Sequence, residues 1–324
     1  MSETNGVWVF SESNDLALEL LGKGRELADR MQTQLTALWL GSNIQGQAQQ
    51  LIQHGADRVL VVDSPQLKDF RVEPYLSALS TLAKRYAPDI ILMGSTRRGK
   101  ELAARLATRL ETGCVPDCAK LSLNDQGNLV AERIVYGGGA TAKITFRTKP
   151  KIATVPPRTF EKPTPSIDRA GQVLPVEVQF EEPKTEIAET KQTEASKVKI
   201  EEAHIVVCGG RGMEKKEDFK MLDELAQLTG GQTGNTRPLA EDRKWFSEWL
   251  GLSGHKVKPT VYIGCGVSGV IQHVAGIRDS QVIVAVNKDP EAPLCEVADY
   301  VVVGNLYEII PAFIEALKRQ LKMG

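Results

Sequence analysis

Short, wholly apolar runs alternate along this chain with longer stretches in which apolar residues return at helical spacing. A run of the first kind reads as a buried strand, and a stretch of the second as an amphipathic helix packed on it. Residues 7–10, 35–40, 58–62 and 89–93 are predicted strands; 15–31, 45–53, 72–86 and 99–110 are predicted helices. Strand and helix in alternation imply a parallel sheet, because a parallel connection must cross the sheet and a helix covers its face as it does so.

After residue 120 the pattern becomes β-rich, with strands expected at 129–136, 142–148 and 152–155. Gly137, Gly138 and Gly139 between the first two suit a tight turn or the close approach of a partner. Residues 173–180 read as a last strand of the first domain. From 181 to 196 apolar residues nearly vanish among Glu, Lys, Thr and Pro, the composition of a solvated linker. The alternation then restarts, with strands at 204–208, 232–236, 260–263, 282–286 and 300–303 and helices at 217–228 and 307–321. The expected fold is α/β in two domains, 1–196 and 197–324, each a mostly parallel sheet flanked by helices.

Composition narrows the function classes. With Lys+Arg 40 against Asp+Glu 41, the charge balance gives no nucleic-acid footprint and no pull toward a membrane surface. No apolar run approaches a membrane span, and Met1 to Asn5 lack a signal-peptide pattern, so the expected location is the cytoplasm. Five scattered cysteines read as reduced thiols. Cys114 and Cys118 form the one close pair, and no histidine or second pair completes a metal set. No metal is expected, and redox chemistry would need an organic cofactor.

The chemistry-bearing residues gather at the C-terminal ends of the second domain's strands, the edge where open α/β sheets bind ligands. Gly209-Gly210-Arg211-Gly212 follows one strand, Thr236-Arg237 the next, and Gly264-Cys265-Gly266-Val267-Ser268-Gly269 a third. Glycines there let the backbone approach a ligand closely. A helix from Ser268 to 275, with Ser268 as N-cap, would aim its first N–H groups at an anion. Gln272 and His273 stand one turn later with polar heads available. Such an array describes a nucleotide or cofactor site. Gly94-Ser95-Thr96-Arg97-Arg98-Gly99 in the first domain has neither the P-loop ending nor the GxGxxG spacing, and reads as a strand-to-helix turn. No nucleophile–base pair or paired carboxylates converge.

In order, spacing and residue type, these strand ends resemble the electron transfer flavoprotein α subunit. The blocks Ser268-Gly269-Val270-Ile271-Gln272-His273 and Asn287-Lys288-Asp289-Pro290-Glu291-Ala292-Pro293 are its most specific signatures. Val7-Trp8-Val9-Phe10-Ser11-Glu12 and Gly94-Ser95-Thr96 agree more loosely. The resemblance implies a nucleotide-hydrolase-like or Rossmann-like first domain that docks a β subunit, and a doubly wound second domain that holds FAD. It places Arg211 over the cofactor, and Thr236 and Arg237 beside the flavin's reactive edge, where a guanidinium favours the negative charge added on reduction. Leu250, Gly251, Leu252 and Ser253 stand where the family often has Val-Gly-Gln-Thr. Ser253 keeps a hydroxyl for flavin N5, while Leu252 removes an amide contact.

The resemblance further puts Ser268, Gly269, Val270, Ile271, Gln272 and His273 along the cofactor, with His273 at the pyrimidine edge. Asn287 would meet the adenosine or a phosphate; Asn305 and Leu306 replace the usual Asp-Leu at a ribose or adenine contact. Trp245 and Trp249, one helical turn apart in spacing, read as a buried helix face or a subunit contact. The implied function is electron shuttling without substrate turnover, from a flavin dehydrogenase such as an acyl-CoA dehydrogenase to a quinone reductase. An alternative is a bifurcating complex with a second FAD, using NADH, ferredoxin or flavodoxin, and a quinone or enoyl-CoA acceptor. Gly251-Leu252-Ser253-Gly254 with Val257-Lys258-Pro259 resembles the variant common there. A self-contained nicotinamide-dependent dehydrogenase is a further class, disfavoured because neither domain has GxGxxG followed by a ribose-binding acid.

Overall fold

The computed structural model describes residues 6–136, 139–190 and 200–323. Met1 to Asn5, Gly137 and Gly138 of the glycine turn, and the last part of the expected linker lie outside the described residues. The chain divides into two compact units, the first ending at Thr190.

In the first unit, strands β1 (Val7–Phe10), β2 (Leu35–Gly41), β3 (Arg58–Asp63) and β4 (Ile90–Gly94) pair in parallel. Helices α1 (Asn14–Arg30), α2 (Ala48–Gln53), α3 (Val72–Tyr86) and α4 (Arg97–Arg109) link and cover them. Successive strand residues point to opposite faces, so these apolar strands supply two cores. Val7, Val9, Leu35 and Val59 pack with Leu20, Leu27 and Leu51 on one side. Trp8, Phe10, Leu38 and Leu60 pack with Leu79, Leu102 and Leu106 on the other.

The stretch after α4 departs from expectation. β5 (Cys114–Val115) and β6 (Cys118–Leu123) were not anticipated, and β6 joins β7 (Leu129–Val135) and β8 (Ala140–Thr145) in a separate antiparallel sheet. β9 (Lys151–Val155) does not belong to that β-rich end; it pairs in parallel between β4 and β5. β10 (Gln172–Pro175) pairs with β3 at the opposite edge, giving the order β10-β3-β2-β1-β4-β9-β5. It is shorter than expected, because Val176, Val178 and Phe180 pack on the core beside α3 and α4.

The Ser95 and Thr96 hydroxyls of the Gly94–Gly99 turn are spent internally. Ser95 Oγ donates to Asp117 Oδ1 at 2.6 Å, the Thr96 hydroxyl bonds the Glu12 carboxylate, and Thr96 caps α4 by accepting from the Gly99 N–H at 2.9 Å.

The second unit holds β11 (Ile205–Gly209), α5 (Phe219–Thr229), β12 (Gln232–Asn235), α6 (Arg237–Glu241), β13 (Val261–Cys265), α7 (Ile271–Ile277), β14 (Val282–Asn287), α8 (Pro293–Val297), β15 (Tyr300–Val303) and α9 (Leu306–Met323). All five strands are parallel, in the order β12-β11-β13-β14-β15. Leu222, Leu225, Ile310 and Ile314 from α5 and α9 cover one face; Ile277 and Leu294 from α7 and α8 cover the other. Chain direction across the sheet reverses between β11 and β13, so a crevice opens at their C-terminal ends.

One local expectation fails at that crevice. α7 begins at Ile271, with Val270 as its N-cap, and not at Ser268. The reason is Gly269, whose φ of +79° is left-handed and breaks any helix that started earlier. A Cβ there would lie 2.4 Å from the Leu294 N atom. The helices α6 and α8 were also not foreseen.

Candidate functional site

Two cavities open along the C-terminal ends of β11, β13 and β14, of about 470 and 500 Å³, and Arg211 and Ser268 line both. Sharing these two residues, they form one trough whose volume lies in the range of small-molecule and cofactor sites.

The first compartment is walled by Thr236 and Arg237, by the loop residues Leu250, Gly251, Leu252 and Ser253, and by Ser268, Gly269, Val270, Gln272 and His273. Thr236 sits at the N-terminus of α6 but its side chain caps nothing; its Oγ1 is buried without a hydrogen-bond partner. A buried hydroxyl left unpaired costs about 1–3 kcal/mol, so this atom marks a place for a ligand's polar group. Arg237 is 61 % exposed, touches Glu241 only at 4.0 Å, and holds its guanidinium 5.6 Å from the Trp249 ring centre. The charge is therefore held over an aromatic face at the cavity wall and is free to meet an anion.

Trp249 Nε1 donates to Ser253 Oγ at 3.3 Å. Because the hydroxyl accepts there, its own proton remains to be donated into the cavity. Leu252 is 43 % exposed and brings no polar side-chain atom, as its identity requires.

His273 is buried and both ring nitrogens are engaged. Nδ1 faces the Leu250 carbonyl at 3.1 Å and Nε2 faces the Tyr262 hydroxyl at 2.7 Å. A carbonyl can only accept, so Nδ1 carries the proton and Tyr262 donates to Nε2. Burial holds the imidazole pKa down at about 4, so the ring is neutral at physiological pH. His273 thus presents ring carbon to the cavity while it ties β13, α7 and the Leu250 loop together. The expected polar contact at a pyrimidine edge would require the ring to exchange a partner.

The second compartment is lined by Asn287, Lys288 and Asp289 after β14, and by Gly304, Asn305, Leu306 and Tyr307 at the start of α9. Asn287 spans the turn: Nδ2 donates to the Val267 carbonyl at 2.9 Å and Oδ1 accepts from the Asp289 N–H at 3.1 Å. Asn305 Oδ1 accepts from the Tyr307 N–H at 3.1 Å, so it caps α9, and Leu306 is buried in the core.

Two glycine turns meet between the compartments. A Cβ on Gly210 would fall 2.3 Å from the Gly266 carbonyl oxygen, so only glycine lets these backbones touch. Gly210 N–H donates to the Cys265 carbonyl, Gly212 N–H to that of Gly266, and Gly266 N–H to that of Val286. These three donors are used up within the fold. The N–H groups of Arg211, Val267, Ser268 and Gly269 have no hydrogen-bond partner among the described residues, which leaves four donors available to an anion.

Of the residues that the resemblance sets against the cofactor, from Arg211 to Leu306, Ile271 alone lines neither cavity; it is 63 % exposed at the first position of α7. Trp245 and Trp249 do not share a helix, since residues 242–260 contain none. Trp249 lines the first compartment, whereas Trp245 packs on the core and under the Arg243 guanidinium. Glu241, Asp242 and Tyr307 also line the trough without a sequence signal of their own. Among the described residues no cluster of three or more His, Cys, Asp or Glu could hold a metal ion, and no helix is long and apolar enough to cross a membrane.

Both units of the chain match models of known protein domains. Residues 7–183 match the electron transfer flavoprotein domain, and residues 199–278 the electron transfer flavoprotein FAD-binding domain. Protein FixB of Clostridium saccharobutylicum is 39 % identical over 328 residues, covering 98 % of each chain. The electron transfer flavoprotein subunit alpha of Thermoanaerobacterium thermosaccharolyticum is 38 % identical over 329 residues, covering 98 % of this chain and 99 % of its own. The lactate dehydrogenase (NAD(+),ferredoxin) subunit LctC of Acetobacterium woodii is 36 % identical over 315 residues, covering 96 % of this chain and 75 % of its own.

Proposed function

The chain belongs to the electron transfer flavoprotein α-subunit family, and from that premise we propose that it is the FAD-holding half of a heterodimeric electron carrier in the cytoplasm. One observation carries the placement of the cofactor: the unpartnered, buried Thr236 hydroxyl in the wall of a trough at the sheet's switch point. The flavin ring would occupy the first compartment and the adenosine the second, with the pyrophosphate on the cradle around Arg211 and Ser268. When bound, FAD would supply the electron storage.

The residues around it have distinct tasks. Arg237 holds a fixed positive charge where reduction would place negative charge. Ser253, oriented by the Trp249 indole, offers its hydroxyl proton to a ring nitrogen. His273, kept neutral, excludes water and fixes the Leu250 loop. Residues 1–196 would serve as the docking platform for a β subunit, with 197–324 as the cofactor domain.

A flavin dehydrogenase would give electrons and a quinone reductase would take them. A second reading is favoured by one observation: a relative whose name couples NAD(+) and ferredoxin covers nearly the whole chain. Under it the same subunit would serve an electron-bifurcating complex with a ferredoxin-type acceptor. To test the first-order claim, the chain is co-purified with its partner subunit, acid-released cofactor is identified chromatographically, and the stoichiometry is measured. One FAD in the second unit is expected; no flavin after reconstitution with FAD and partner would reject the proposal.

A further inference from the structure

The loop that walls the flavin compartment is closed by a histidine that lies outside it. His255 ends the segment that contains Leu250, Gly251, Leu252 and Ser253. Its backbone completes a small ring of bonds: the Gly251 N–H donates to the His255 carbonyl at 3.0 Å, and the His255 N–H donates to the Trp249 carbonyl at 2.8 Å. Its side chain does something less common. Nδ1 contacts the Glu201 carboxylate and Nε2 lies 3.0 Å from Glu248 Oε2.

Ionised carboxylates only accept hydrogen bonds, so both ring nitrogens must donate. A neutral imidazole has one N–H and leaves one of these contacts as lone pair against carboxylate. Only the imidazolium satisfies the geometry. We propose that His255 is a positioning residue whose protonation staples the Trp249–His255 loop to Glu201, setting the wall of the cofactor compartment and making it pH-sensitive.

Glu201 belongs to the short 3₁₀ turn Ile200–Glu202 at the entrance to the second unit, fifty-four positions from His255 in sequence, so the staple joins two segments that share no strand. Among the described residues Glu201 and Glu248 are the charged groups that face the ring, and both raise its pKa, Glu201 the more; partial burial opposes them. Lys256 and Lys258 follow in sequence and do not enter among the causes of the shift. The folded pKa is raised above the ordinary value of about 6.5. The staple is therefore complete below about pH 6.5 and is lost as pH rises through the raised value.

Hydrogen exchange on the full chain tests this without needing the flavin. In wild type, protection of the Gly251, Leu252 and His255 amides, corrected for intrinsic rates, should fall roughly tenfold for each unit separating the closed-loop and open-loop pKa values between pH 6 and pH 9. His255→Lys, which keeps a charge, should hold protection at pH 9; His255→Gln should be low at both. Apparent FAD affinity should follow the same curve. The inference rests on the FAD reading only in that last arm. If protection titrates as stated but no FAD binds at any pH, the staple stands and the FAD reading falls. Flat protection in wild type, His255→Gln matching wild type at pH 6, His255→Lys losing protection at pH 9, or FAD affinity indifferent to a titrating loop would each overturn it.

Discussion

Tyr262→Phe removes one oxygen atom from the centre of the second unit and should be disproportionately costly. Tyr262 is fully buried, and its hydroxyl is the donor to His273 Nε2 at 2.7 Å. The net worth of such a bond is about 1 kcal/mol, but its loss leaves Nε2 buried as an unpaired acceptor, which costs about 1–3 kcal/mol. Phenylalanine fills the same space, so little cavity cost is added. A total near 2 kcal/mol is expected. With a urea slope of roughly 1–3 kcal/mol/M, the unfolding midpoint should move down by about 1 M. Tryptophan fluorescence reports it, since Trp245 and Trp249 lie in this unit. Coupling is expected as well: in a His273→Ala background the same substitution should cost much less, because the orphaned acceptor is gone. An unchanged midpoint, or equal costs in both backgrounds, would show that the ring is not paired as described.

Three further outcomes follow from the same site. His273 has its folded pKa depressed from about 6.5 to about 4, so its contribution is complete above pH 6.5 and is lost as pH falls toward 4, by about 3 kcal/mol over that window; urea titrations at pH 7 and pH 4, with and without His273, should show it. Gly210→Ala drives a Cβ into the Gly266 backbone at 2.3 Å and should cost about 1–3 kcal/mol or more while abolishing FAD binding, read by thermal unfolding and flavin retention. Arg237→Ala should leave the fold intact, because the side chain is mostly exposed, yet lower the flavin reduction potential by ~59 mV for each tenfold loss of preference for the one-electron-reduced state. Spectroelectrochemistry measures it, and an unchanged potential with FAD bound would refute the role.

Much of the fold was legible because its signal is local. Strands such as Ile90–Gly94 are apolar on both faces, and helices such as α1 repeat their apolar positions at one period, so neither needs knowledge of the rest of the chain. The trough was legible for a related reason. Glycine and polar residues stand immediately after each strand of the second sheet, and parallel strands all bring those ends to one edge. The α7 start was not legible because a serine followed by an apolar stretch looks like a cap, whereas Gly269 stands at positive φ with Leu294 of another element packed where a Cβ would lie.

What the sequence by itself determined is the kind of each element and the identity of the groups at the strand ends. Only the tertiary structure decided which neighbours those groups meet. The strand order that opens the crevice between β11 and β13, the insertion of β9 into the main sheet, and the seating of Trp249 on the cavity wall all depend on non-local pairing. The same holds for the tautomer of His273, fixed by Leu250 and Tyr262, and for the two carboxylates that clamp His255. A side chain's period is written in its flanking residues; its protonation state is set by whatever folding brings within about 3 Å of it.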